Sequence, residues 1–224
     1  LDPSASFDFY HGATPWCACK SPHPYGAYID ASFDTYLDIY HDRSRFSKAD
    51  VQRICRREAA WLAKASCIFS ASEWAVKRTV RAYDIPDSDF RVVWIGGNTP
   101  VPRAPGNPKG LNFIFVALDF LRKGGPLCVE AFSIVRRAFP QATLTIVGQR
   151  PPNEVLQSPG VCYAGLLRKS APQEAEQFQG ILHSAFAMIH PTTMDTIGHA
   201  LIEAGYHGCP AIAARNFAIP EIVK

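Results

Sequence analysis

In Asn112-Phe113-Ile114-Phe115-Val116-Ala117, the five residues after Asn112 form an unbroken apolar run. It gives way to Leu118-Asp119-Phe120-Leu121-Arg122-Lys123-Gly124-Gly125 and then to helical periodicity over residues 126–139. A short apolar run bounded by turn residues reads as a strand buried on both faces, and a glycine-bearing turn into a helix begins a parallel crossover. The same alternation repeats downstream, with strands expected at 143–147, 161–164, 185–190 and 211–214 and helices at 172–183 and 197–207. Strands alternating with helices predict an α/β fold with a doubly wound parallel sheet and right-handed crossovers. Ligands of such sheets bind beyond the C-terminal strand ends, which directs attention to the loops after Ala117, Val147, Ala164 and His190.

Upstream, Asn98 to Gly110 reads NTPVPRAPGNPKG, with four prolines and two glycines, and is expected to be a semi-rigid interdomain linker. Before it, helices are expected from Ser47, with Asp50 as a capping-box-like partner, and over 73–83, with strands at 67–70 and 90–95. Residues 1–46 are rich in aromatics, Pro, Gly and Asp, and read as loop-dominated with a short helix over 33–40. The organisation expected is therefore 1–97 as one domain's C-terminal part, 98–110 as linker and 111–224 as a second domain.

Composition sets outer bounds. With 47% hydrophobic and 19% charged residues, the chain of 224 residues can bury a sizeable core. A net charge of +3, with Lys and Arg scattered, gives no reason to expect nucleic acid. No apolar stretch reaches the length of a membrane span. Seven cysteines, an odd number, count against a closed disulfide framework, and a cytoplasmic location is expected. Cys55, Cys67, Cys128 and Cys209 read as small core residues. Cys17 and Cys19 read as loop thiols rather than a metal site, because no second ligand pair lies nearby.

Two loops carry the chemistry. In 117–125, Arg122 and Lys123 can face a diphosphate, and the glycines allow close backbone approach; a solvated basic turn is the plainer reading. The pattern is not a Walker A loop, and no G-x-G-x-x-G follows an expected strand. In 191–208, Gly198 falls in the first helical turn, where free N–H groups and the helix dipole favour an anion. Asp195, His199 and Glu203 follow at helical spacing and can approach one cleft. A carboxylate just past a phosphate-binding helix start is placed to accept hydrogen bonds from a ribose diol; otherwise Glu203 is a solvated helix-face carboxylate.

Asp195-x7-Glu203 continuing into Ala204–Ala213 resembles the E-x7-E segment of retaining family 4-type glycosyltransferases, the glycosyl transferases group 1 of the GT-B class. Further pieces occur in that family's order. Phe115–Gly125 is similar to its donor-phosphate loop, Pro140–Gly148 to "p.a.L.ivG", Tyr163–Lys169 to its nucleobase loop and Ile219–Val223 to "g.pEiv". Upstream, Ile68–Trp74, Tyr83–Ile85 and Val93–Asn98 resemble the end of an acceptor-side domain. The resemblance runs from about Asp30 to the C-terminus. It implies two Rossmann-like domains, with 1–97 the tail of the acceptor-side one and 111–224 a nucleotide-sugar donor domain, each short of the family's full extent.

It also implies roles. Lys123 and Asp195 would be catalytic, Lys123 neutralising the leaving diphosphate and Asp195, where Glu is commoner, facing the transferred sugar. Donor contacts would come from Asn98, Arg122, Lys123, Gly124, Leu167, Gly198, His199, Ala200 and Glu203. The family often has arginine five positions before the lysine; Leu118 stands there, with Arg122 as the nearby cation. Asp30 is placed on the acceptor side, or at a helix N-cap. The donor would be a nucleotide diphosphate sugar, with no cofactor and no metal. The acceptor stays open between glycan, lipid at a membrane surface and small molecule. A catalytically degenerate nucleotide-binding module of the same fold is the alternative.

Overall fold

The structure, a computed structural model, describes residues 4–224 and divides into two compact units, Leu1–Ile95 and Gly96–Lys224. Each is built on its own parallel sheet.

In the first unit, β1 (Asp8–His11), β2 (Tyr25–Ile29), β3 (Cys67–Ser70) and β4 (Phe90–Val92) lie side by side in chain order, all parallel. Helices α1 (Phe33–Tyr40) and α2 (Lys48–Leu62) connect β2 to β3, and α3 (Glu73–Tyr83) connects β3 to β4. Each of these helices starts on a serine, Ser32, Ser47 and Ser72, whose side chain accepts an N–H of the first turn. The core gathers Tyr10, Tyr25, Ile29, Trp61, Leu62 and Ile68. Glu58 is fully buried there and accepts from Thr14 Oγ1 at 2.5 Å, from the Phe33 amide at 2.7 Å and from the Tyr83 hydroxyl. Three donors offset the desolvation of that carboxylate.

Two strands correct the loop-dominated reading of residues 1–46. β2 is buried along its whole length, and β1 pairs with it from Asp8 to His11. Prolines at 22 and 24 and Gly26 hide a five-residue strand whose apolar character lies mostly in tyrosine and alanine. Asp30 is not a helix cap, since Ser32 fills that position; it sits exposed just past the C-terminal end of β2. The strand expected over 90–95 stops at Val92, and Trp94 takes a left-handed conformation (φ 58°).

In the second unit, β5 (Asn112–Ala117), β6 (Thr143–Gly148), β7 (Val161–Gly165), β8 (Ala187–His190) and β9 (Ala211–Ala213) are arranged in the order β7-β6-β5-β8-β9, all parallel. Strand order therefore reverses between β5 and β8. Helices α4 (Gly125–Ala138), α5 (Asn153–Leu156), α6 (Pro172–Ser184), α7 (His199–Tyr206) and α8 (Ile219–Ile222) complete it. Period-2 alternation splits β5 between two cores. Phe113 and Phe115 pack with Phe132 of α4 on one face; Ile114 packs with Phe178, Leu182 and Leu201 on the other. Each fully buried side chain of this size contributes roughly 1.5–3 kcal/mol.

The proline-rich stretch is hydrogen-bonded to this second unit. The Gly106 amide donates to His207 O at 2.7 Å and the Asn107 amide to His183 O at 2.9 Å. Among the described residues all seven cysteines are free; Cys128 and Cys209 are buried, Cys55 and Cys67 half-buried, and Cys19 and Cys162 exposed.

Candidate functional site

A cleft of about 630 Å³ opens at the C-terminal ends of β5 and β8, where the strand order reverses. Its floor comes from Ala117, Gly148 and His190, and its walls from the loops after β5, β7 and β8 together with α7.

The loop after β5 owes its shape to glycine. Gly148 has φ 114°, and a Cβ there would lie 1.9 Å from Ala117 O, so only glycine lets β6 end against β5. Gly124 caps α4 with φ 78°, and a Cβ on it would fall 2.1 Å from Pro191 O. Thr193 donates both N–H (3.1 Å) and Oγ1 (2.9 Å) to Arg122 O. The two loops flanking the reversal point are thus laced together, and Lys123 is delivered into the cleft from one of them.

Lys123 donates to Asp195 Oδ2 at 2.6 Å and to Met194 O at 2.9 Å. His190, 2% exposed, brings Nε2 to 3.2 Å from the same carboxylate oxygen. A carboxylate at this site can only accept, so Nε2 carries the proton. Asp195 Oδ1 accepts from Thr196 N at 2.9 Å and Gly198 N at 3.1 Å. Burial pushes the Asp195 carboxyl up, but the hydrogen bond from His190 and the charge of Lys123 outweigh it and hold the group well below the usual carboxylate range.

Gly198 caps α7 in the left-handed region (φ 73°). His199 and Ala200 form its first turn, whose N–H groups have no partner inside the helix, and both line the cleft. One turn on, Glu203 is buried (1% exposed) with Oε1 accepting the Asn98 amide at 2.8 Å and the Lys169 ammonium. Beside it, the Tyr206 hydroxyl accepts the Gly97 amide at 2.9 Å.

Of the residues singled out from sequence, the cleft gathers Asn98, Lys123, Leu167, Asp195, His199, Ala200 and Glu203. Gly124 is buried under Pro191, and Gly198 sits behind the helix start. Arg122 is exposed, its Nε 3.4 Å from Asp119 Oδ2, and is not part of the lining. Leu118 is 79% exposed and does line the cleft. Asp30 belongs to the first unit. Two residues that sequence reading missed are His190, the last residue of β8, and Lys169, in the loop after β7. Their positions at strand ends are the only sequence signal; what marks them is contact across the fold. The sequence does hold one Asp-x-Asp triplet, Asp87-Ser88-Asp89, which forms a short 3-10 turn before β4 in the first unit. Among the described residues, no group of three or more His, Cys, Asp or Glu could hold a metal ion. No helix of the described residues is long and apolar enough to cross a membrane.

Two parallel α/β sheets, the second doubly wound with its cleft at the reversal point, place the fold in the GT-B class. Within that class the chain belongs to the glycosyl transferases group 1 family, whose description matches residues 110–224. Comparison with curated proteins finds no match.

Among solved structures, S. aureus TarM is similar with a TM-score of 0.61 at 13% identity, covering 90% of this chain and 39% of that one. WaaG, a glycosyltransferase involved in lipopolysaccharide biosynthesis, gives 0.59 at 14% identity, covering 88% and 58%. The pneumococcal O-GlcNAc transferase GtfA, solved with UDP and GlcNAc, gives 0.57 at 14%, covering 90% and 40%. The chain thus spans less than two thirds of each, and at these identities the likeness is one of fold.

Proposed function

We propose that the cleft at the ends of β5 and β8 binds a nucleotide diphosphate sugar and that the protein transfers the sugar, with retention of configuration, to a glycan, lipid or small-molecule acceptor. The observation that carries this reading is the convergence, in a single cleft of a group 1 family member, of the Lys123 ammonium, the α7 N-terminus and the buried Glu203 carboxylate. Lys123 and the first-turn amides of His199 and Ala200 supply positive potential to a diphosphate. As the glycosyl–oxygen bond breaks, the diphosphate leaves with the electron pair and Lys123 opposes the growing negative charge. Asp195 holds that ammonium in place and faces the transferred sugar. Glu203 accepts from the ribose, and backbone groups near Leu167 read the base. A metal has no part in this scheme. Seven unbridged thiols favour a reducing compartment such as the cytoplasm.

The test is release of nucleoside diphosphate from UDP-, GDP-, ADP- and dTDP-sugars, with and without a broad acceptor panel, and the anomeric configuration of any product by NMR. Transfer with retention is expected, and an inverted product would refute the stereochemical part. The exposed Leu118 on the cleft wall, where family members often carry arginine, favours a second reading in which the cleft binds nucleotide without transfer. Nucleotide binding with neither transfer nor slow donor hydrolysis would select it.

A further inference from the structure

Glu203 reaches the cleft with its two carboxylate oxygens in different states. Oε1 accepts the Asn98 amide and the Lys169 ammonium. Oε2 accepts no hydrogen bond among the described residues, yet it is not one of the atoms sealed away from access. The side chain is 2% exposed, so an unpaired anionic oxygen there carries a cost that a donor from the cleft would relieve.

Lys169 is itself held. Its ammonium lies 5.0 Å from the centroid of the buried Phe178 ring on α6, and its side chain is 31% exposed. The lysine stands 34 positions before its partner, so the pair ties the loop after β7 to α7, two walls of the same cleft. A bare carboxylate at this place would repel an anionic ligand and could rotate toward any donor. Lys169 removes both problems: it cancels the charge of Glu203 and occupies Oε1. Oε2 then remains as an acceptor with two lone-pair directions, which suits a vicinal diol.

We infer that Lys169 is a positioning residue that fixes Glu203 to read the ribose hydroxyls, so that this site discriminates ribonucleotides from their deoxy counterparts. The inference rests on the nucleotide-binding reading proposed above.

The experiment compares, by calorimetric titration of the full chain, UDP with 2′,3′-dideoxy-UDP. ADP, GDP and their dideoxy forms are run in the same way. Hydrogen bonds to a charged group suggest that the wild type prefers the ribo form on the order of 10-fold or more. Lys169→Met is expected to bring that ratio close to one, chiefly by weakening the ribo form, and Lys169→Arg to restore most of it. Retained dideoxy binding by Lys169→Met also reports an intact fold. If Lys169→Met weakens both forms equally, the lysine acts on the phosphates and the positioning role is overturned, while nucleotide binding stands. An unchanged ratio overturns it likewise. If the wild type binds no nucleoside diphosphate, both the inference and the reading beneath it fail.

Discussion

Asp195→Asn is the substitution for which the structure gives the most definite expectation. The change keeps shape and volume but replaces one acceptor oxygen by an NH2 donor. Oδ2 faces Lys123 Nζ at 2.6 Å and His190 Nε2 at 3.2 Å, and Oδ1 faces the amides of Thr196 and Gly198 at 2.9 and 3.1 Å. Whichever way the amide turns, its NH2 meets two donors. One unsatisfied buried donor costs about 1–3 kcal/mol, and breaking a buried ion pair costs about 3–5 kcal/mol. Lys123 keeps Met194 O and is 22% exposed, so it recovers part of its solvation. A loss of about 3 kcal/mol is therefore expected in the second unit.

Urea denaturation read through hydrogen exchange at β5 and β8 amides measures it where it acts. The pH dependence gives an independent sign. Because the folded Asp195 carboxyl titrates below its unfolded value, its contribution is fully present above the unfolded pKa of about 3.9 and is lost as pH falls through the lower folded value. The gap between wild type and Asp195→Asn should narrow as pH drops from about 6 toward 2. A gap below about 1 kcal/mol at pH 7, or one that stays constant across that range, would refute the four-donor account.

Other expectations are shorter to state. Gly148→Ala would set a Cβ 1.9 Å from Ala117 O at φ 114°, and should cost at least about 3 kcal/mol or prevent folding of the second unit, read by circular dichroism. Glu58→Gln leaves one of three donors facing an NH2 group and should lower the stability of the first unit by about 2 kcal/mol. Trp61 fluorescence reports that unit specifically, because Trp16, Trp61, Trp74 and Trp94 all lie within it. Lys123→Ala should reduce sugar transfer roughly 100- to 1,000-fold, the scale for removing one donor to a developing anion, with a smaller change in nucleotide affinity. An equal loss in both would assign Lys123 to ground-state binding.

The second unit was legible in sequence because its strands are compact apolar runs. Phe113, Phe115, Ile146 and Met188 need partners on both faces of a sheet, and only a helix-covered parallel arrangement provides them. β5 and β3 match the expected spans 112–117 and 67–70 residue for residue, whereas β8 starts two residues late and α7 waits for Gly198 to turn the chain. The first two strands were not legible. Tyr25, Ala27 and Tyr28 signal burial weakly, and the prolines before them signal a loop strongly.

At the cleft, Lys123 and Glu203 were named from local pattern. Asp195 was named as well, but its pairing with Lys123 across 72 positions was not, and Lys169, which meets Glu203 across 34, was missed. Spacing along one helix predicts what shares a face; it carries no information about which loop returns to meet it. His190 shows the same limit. Its Nδ1 is buried without a partner, a feature no sequence pattern marks.

The central claim, that the cleft at the β5/β8 reversal point is a nucleotide-sugar site, is tested most directly by hydrogen–deuterium exchange of the full chain with and without saturating UDP, GDP or ADP and their sugars. The account predicts slowed exchange in the segments 118–124, 166–170 and 195–203 with at least one of these ligands. Protection elsewhere with these three segments unchanged, or no protection by any ligand, would contradict it.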